Sequence, residues 1–232
     1  MMKISLFSQS LFALPLMEAI ETTAEIGFRA IELACTKPHF DLETALKEAK
    51  MVAERVQITG LEISALSLFN NFTNRTYLNN QIEEAETYIR LTPLFHTKIL
   101  KMTPGPPESA DAKSEHWRCL EIALDRLVPV AEEFGVQLAF ETHMRQLTDT
   151  LAGSKNLLKM AKSDVVGLTV DFSNLTFSGE NMPEIISTLE GRIYNTHVKN
   201  GTIDENGNWH FHALDTGLTD YSEVLALLRD KN

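Results

Sequence analysis

The sequence predicts an α/β fold, a (β/α) barrel of parallel strands. Three observations carry the prediction. Short apolar runs of strand length alternate seven times with amphipathic stretches of helical period, and parallel neighbours need such crossovers. Polar residues of ligand type close several of the runs, as at the C-terminal face of a barrel. The glycine-rich turn that follows the first strand of a dinucleotide-binding sheet is absent, and Ser8-Gln9-Ser10 occupies its place.

The elements follow in order. Residues 3–7 read as strand one. Residues 15–26 carry apolar positions at helical spacing, and Gly27 fits the stop. Residues 28–33 are strand two. Residues 42–56 form a charged amphipathic helix with Asp41 as its N-cap. Strand three is expected over 57–66, a polar loop over 70–74, and a long helix over 77–94. Strand four covers 98–102 and is followed by the loop Thr103-Pro104-Gly105-Pro106-Pro107. A helix over 114–134 ends at Gly135, and strand five runs from 136 to 141. A helix over 151–161, strand six over 166–171, a short helix over 182–189 and strand seven over 193–198 complete the alternation. Residues 201–214 contain the turn signal Asp204-Glu205-Asn206-Gly207 between two extended pieces. A last helix is expected over 221–228.

A barrel of this type closes with eight strands, and seven βα units are counted. The barrel is therefore expected to be incomplete, with strand eight missing between strands seven and one, unless another segment or subunit fills the gap. An exposed sheet edge also favours association, so a homodimer is expected.

With 232 residues and 44% hydrophobic content, the chain suits one large domain over 1–232. No run approaches the ~20 apolar residues of a membrane span. The N-terminus carries a single Lys3 and no small-residue cleavage site, so it reads as a strand rather than a signal peptide. Cys35 and Cys119 are the two cysteines, too few for a disulfide framework or a thiolate zinc site, and a cytoplasmic location is expected. The formal net charge of −11 argues against a nucleic-acid partner.

Three of the strand ends carry the chemistry. Glu141 closes Leu138-Ala139-Phe140-Glu141, Asp171 closes Leu168-Thr169-Val170-Asp171, and His197 closes Ile193-Tyr194-Asn195-Thr196-His197. Each group is costly to bury unless paired or bound to a metal. They stand 30 and 26 residues apart, about one strand-plus-helix unit each time. Consecutive parallel strands would deliver all three to one end of the sheet. Two carboxylates and an imidazole with no thiolate suit Mn, Mg or Co, with Zn also compatible, and leave coordination positions open for substrate.

Phe140-Glu141-Thr142-His143, Leu147-Thr148-Asp149-Thr150, Val170-Asp171-Phe172-Ser173-Asn174 and Thr196-His197-Val198-Lys199-Asn200 resemble the motifs of the xylose isomerase-like TIM barrels. That sugar phosphate isomerase/epimerase group also includes endonuclease IV and 3-dehydroshikimate dehydratases. The resemblance implies a TIM barrel whose divalent metal is held by Glu141, Asp171 and His197. The family's fourth ligand, a Glu on strand eight, has no counterpart among the seven strands. It further implies Glu141 as an acid/base group.

His143, two residues past Glu141 on the same side of an extended chain, takes an acid/base or substrate-contact role by the same resemblance. Lys199 shares the strand-seven face with His197 and could hold a substrate oxyanion. Glu32, at the end of strand two, could by the resemblance hydrogen-bond substrate or a metal-bound water, and Lys101, at the end of strand four, could bind a carboxylate or phosphate. His210 and His212 stand where endonuclease IV carries second-metal ligands. The other endonuclease histidines are not evident, and His212 is expected to contact substrate instead. The implied activity is that of a metal-dependent isomerase or epimerase acting on a small-molecule sugar, sugar phosphate or sugar acid. A 3-dehydroshikimate dehydratase-like lyase and an inactive sugar-binding relative are the alternatives.

Overall fold

A computed structural model describes residues 3–230. Its main sheet holds β1 (Ser5–Phe7), β2 (Ala30–Ala34), β3 (Glu62–Ser67), β4 (Ile99–Met102), β5 (Gln137–Glu141), β6 (Val166–Asp171) and β7 (Ile193–His197). The seven strands lie side by side in chain order, each parallel to the next. The crossovers are α1 (Leu16–Glu25), α2 (Leu42–Ile58), α3 (Leu78–Leu91), α4 (Ser114–Phe134) and α5 (Leu151–Ala161), then α6 (Phe172–Phe177) with α7 (Met182–Thr188). An antiparallel hairpin of β8 (Asn200–Ile203) and β9 (Trp209–His212) leads to α8 (Tyr221–Asp230).

The sheet is strongly curled. In a flat sheet β2 and β7 would stand five strand spacings, roughly 24 Å, apart. Yet His197 of β7 lies 2.8 Å from Glu32 of β2, and the Phe7 ring of β1 stacks on His197 with centroids 5.3 Å apart. The TIM-barrel expectation is met. Among the described residues no strand pairs β7 with β1. The open side is a groove of about 380 Å³ lined by residues including Ile4, Ile193, Val198 and Leu225.

Alternation along the strands separates two environments. Ile31, Leu33, Leu100, Met102, Leu138, Phe140, Leu168 and Val170 join the hydrophobic core beneath the helices. Their neighbours Glu32, Lys101, Glu141, Thr169 and Asp171 are also buried but polar. Burying so many polar side chains is tolerable because they pair with one another or with backbone, on adjacent strands for Lys101–Glu141 and Thr169, and across the interior for Glu32–His197.

Helix starts follow their caps: Asp41, Thr150 and Asn181 each accept a backbone N–H from three residues on, at 3.1, 3.1 and 3.0 Å. Two local expectations are corrected. Strand three does not begin at 57, because α2 runs on to Ile58 and the chain reverses at Gly60, whose φ of +73° suits glycine. β3 therefore starts at Glu62. Strand two is also shifted, to Ala30–Ala34. The hairpin matches its turn signal: Gly207 N–H donates to the Asp204 carbonyl at 3.0 Å, closing a turn between β8 and β9.

Candidate metal centre

The C-terminal ends of β5, β6 and β7 carry Glu141, Asp171 and His197 into one buried cluster. One ligand atom from each lies within 4.8 Å of the others. Opposed ligands around a first-row divalent ion stand roughly 4.2 Å apart, given bonds of about 2.1 Å. Small side-chain adjustment is enough to close such a shell. The O, O, N donor set, with both carboxylates buried, also suits a hard or borderline divalent cation. The residues fit a metal ion.

Each member is held by strand-end neighbours. Asp171 closes β6 and caps α6, its Oδ1 accepting from Asn174 N–H at 3.0 Å. Its backbone N–H donates to Thr142 Oγ1 at 2.8 Å, and Asn174 Nδ2 donates to the Thr142 carbonyl at 2.9 Å. Thr148 Oγ1 donates to the Glu141 carbonyl at 2.6 Å, fastening the loop behind β5. These bonds order the backbone under both carboxylates.

The charges interlock. Lys101 Nζ, from β4, lies 2.5 Å from Glu141 Oε2 and 4.6 Å from the centre of the Phe69 ring. The other Glu141 oxygen meets His197 Nδ1 at 3.1 Å. On its far side His197 Nε2 meets Glu32 Oε1 at 2.8 Å, and Glu32 Oε2 accepts from Asn195 Nδ2 at 3.0 Å. Lys199 Nζ lies 3.1 Å from Asp171 Oδ2 and over the Phe211 ring.

Protonation follows from this arrangement. Burial disfavours charge on His197, but Glu32 and Glu141 on its two sides outweigh that cost and push the imidazole up to about 10. Burial opposes Glu141 as well, yet Lys101 and His197 hold its carboxyl well below the usual range. Glu32 is likewise lowered against its burial, chiefly by His197. Asp171 is raised by burial and by the Glu141 charge, against the pull of Lys199. Metal-free, the imidazolium donates both N–H groups and occupies the middle of a carboxylate cluster.

The structure brings together six of the nine residues singled out in the sequence: Glu32, Lys101, Glu141, Asp171, His197 and Lys199. His143 sits beside them, half-buried, its Nδ1 donating to the Met144 carbonyl at 2.8 Å. His212 does not join them. It is exposed on the hairpin and pairs with Thr202 Oγ1 at 2.9 Å. His210 is also exposed and pairs with Asp204 at 3.0 Å. Asn195 and Phe7 were missed. Asn195 could have been found, since it precedes His197 by two on the same strand face; Phe7 contacts the site only through the curl of the sheet. Trp209 was also missed; it lies under Arg145, 4.6 Å from the guanidinium, and so pins the hairpin to the loop after β5.

A family model described as Xylose isomerase-like TIM barrel matches residues 20–232. An inosose dehydratase of Clostridium botulinum is 23% identical over 78% of this chain and 62% of its own length. The chain spans less than two thirds of the inosose dehydratases it matches. The crystal structure of the probable 3-DHS dehydratase AsbF of Bacillus anthracis superposes with a TM-score of 0.84 at 22% identity, over 99% of this chain and 89% of that one. The IOLI protein, solved with a zinc atom, superposes at 0.83 with 21% identity, over 100% and 86%. Dehydratases and epimerases both stand among the proteins similar to this chain. Among the described residues no helix is long and apolar enough to cross a membrane.

Proposed function

The chain belongs to the xylose isomerase-like TIM-barrel family, and from that premise we propose that it is a divalent-metal-dependent isomerase or epimerase. Its substrate is a sugar, sugar phosphate or sugar acid, and its chemistry is proton transfer next to a carbonyl. The observation that carries this reading is the convergence of Glu141, Asp171 and His197 within 4.8 Å, flanked by Lys199 and His143.

Glu141, Asp171 and His197 would hold the ion, Mn, Mg, Co or Zn by donor type. A divalent ion held there would supply Lewis acidity toward a substrate carbonyl. The remaining work falls to side chains. Donation of Nδ1–H to Met144 leaves the His143 Nε2 lone pair free to take the proton from carbon. Glu141 is tied by Lys101 and His197, so its part is to hold the ion rather than to move the proton. Lys199 supports the negative charge that develops on a substrate oxygen as the proton leaves. Lys101 is fully buried and keeps Glu141 ionised. Returning the proton to the neighbouring carbon, with the hydroxyl proton passing to the former carbonyl oxygen, isomerises the substrate; epimerisation requires a second proton donor on the face opposite His143.

Dehydration is the second reading, favoured by the sequence matches to dehydratases. It begins with the same proton loss and ends with departure of the β-hydroxyl. The test is incubation of the metal-loaded protein in deuterated water with a panel of ketoses, sugar acids, inososes and 3-dehydroshikimate. Deuterium entering carbon beside the carbonyl of one substrate supports the reading. Ultraviolet absorbance of an aromatic product, or water loss, assigns the lyase instead. No deuterium in any substrate and no product overturns both.

A further inference from the structure

The Glu32–His197 contact joins the second strand to the seventh across the barrel interior. Glu32 is 2% exposed and uses both carboxylate oxygens, one toward His197 Nε2 at 2.8 Å and one toward Asn195 Nδ2 at 3.0 Å. A group so placed stands on the side of the imidazole opposite Glu141. The ring nitrogen that faces Glu141 is Nδ1, at 3.1 Å. His197 therefore has one nitrogen toward Glu141 and one toward Glu32. The Phe7 ring lies against its face, inclined by 30° with centroids 5.3 Å apart.

We propose that Glu32 is a positioning residue. It accepts the Nε2–H of His197, fixes the tautomer that presents the Nδ1 lone pair to a metal ion, and is itself aimed by Asn195. The inference rests on the metal reading of Glu141, Asp171 and His197. A carboxylate behind a ligating imidazole holds the ring in plane and raises its basicity, and removing such a partner costs 10–100-fold in metal affinity. Phe7 restricts rotation out of that plane. A histidine without Glu32 would be free to present either nitrogen or to turn away.

The experiment measures Zn²⁺ and Co²⁺ affinity by chelator competition in wild type, Glu32→Ala, Glu32→Gln, Asn195→Ala and His197→Ala. It also records nitrogen-15 NMR of the histidine ring nitrogens in the zinc-loaded protein. Glu32→Ala is expected to weaken binding about 10–100-fold. Glu32→Gln keeps an acceptor for Nε2–H and is expected to recover most of that loss, with Asn195→Ala between wild type and Glu32→Ala. The wild-type spectrum should show one His197 tautomer, protonated at Nε2, and Glu32→Ala should show faster exchange of that proton. His197→Ala binding as tightly as wild type would sink the metal reading itself. If His197→Ala loses the ion while Glu32→Ala and Glu32→Gln hold it within twofold, Glu32 has no positioning role. Should Glu32→Ala not fold, the wild-type spectrum decides: zinc-loaded His197 protonated at Nδ1 overturns the proposal, and protonated at Nε2 supports it.

Discussion

Metal binding by this cluster should tighten steeply with pH. The perturbation is a rise from pH 6.5 to 8.5 at fixed ionic strength. In the metal-free protein Glu32 and Glu141 outweigh burial and push His197 up to about 10, so both nitrogens carry protons throughout that range. A ligand must give up its proton before it can coordinate. Below the imidazole's own pKa, each pH unit therefore changes apparent affinity about tenfold, and two units about 100-fold. Lys101 holds Glu141 ionised across the same range, and Glu32 is lowered too, so neither carboxylate adds to the slope. Asp171, raised by burial and by the Glu141 charge, adds to the slope wherever it still holds its proton. The assay is isothermal titration of Zn²⁺ or Co²⁺ in buffers of different ionisation heat, which reports affinity and protons released together. About one proton should leave per ion near pH 7.5. Affinity independent of pH with no proton released would falsify the assignment of His197 as a ligand.

The remaining predictions touch stability and turnover. The His197 pKa is raised above its ordinary value of 6.5, so its stabilising effect is complete below pH 6.5 and is lost as pH rises toward about 10. Melting of the metal-free protein should fall over that window, by at most about 1.4 kcal/mol per pH unit, and His197→Gln should flatten the fall. Lys101→Met removes one member of a buried ion pair and should destabilise the metal-free protein by about 3–5 kcal/mol in a denaturant titration. Bound metal should recover part of that loss, because a cation again faces Glu141; equal losses with and without metal would count against it. His143→Gln should lower the turnover of whichever substrate exchanges its proton about 10²–10⁴-fold, with metal affinity within twofold of wild type. A parallel loss of metal would show that His143 supports the ion rather than the proton.

What was legible in the sequence divides along physical lines. β5, β6 and β7 end where apolar runs meet a single charged residue, and local pattern alone places Glu141, Asp171 and His197 at one end of the sheet. The hairpin was equally readable, because Asp204-Glu205-Asn206-Gly207 is a turn signal in its own right. The start of β3 was not readable. Ile58, Thr59 and Leu61 are residues a strand favours, and only the run of α2 to Ile58 with the reversal at Gly60 decides otherwise. The link from Glu32 to His197 was beyond any local reading. It spans 165 residues of sequence and exists because the sheet curls far enough for β7 to face β2. Lys101, expected as an anion binder, is instead the buried partner of Glu141 on the adjacent strand, a contact set by the pairing of β4 with β5. His212 differs in the opposite sense, since the family resemblance suggested a place at the site and the hairpin carries it out to solvent.

Elemental analysis bears most directly on the centre itself. The purified chain is loaded with Mn²⁺, Co²⁺ or Zn²⁺, freed of excess ion, and compared with Asp171→Asn and His197→Ala checked for folding by circular dichroism. About one ion per chain in wild type, and less than about a tenth in both folded variants, is the expected result for a mononuclear site with these ligands. A wild-type chain that retains no ion, or variants that retain as much as wild type, would contradict a metal centre at Glu141, Asp171 and His197.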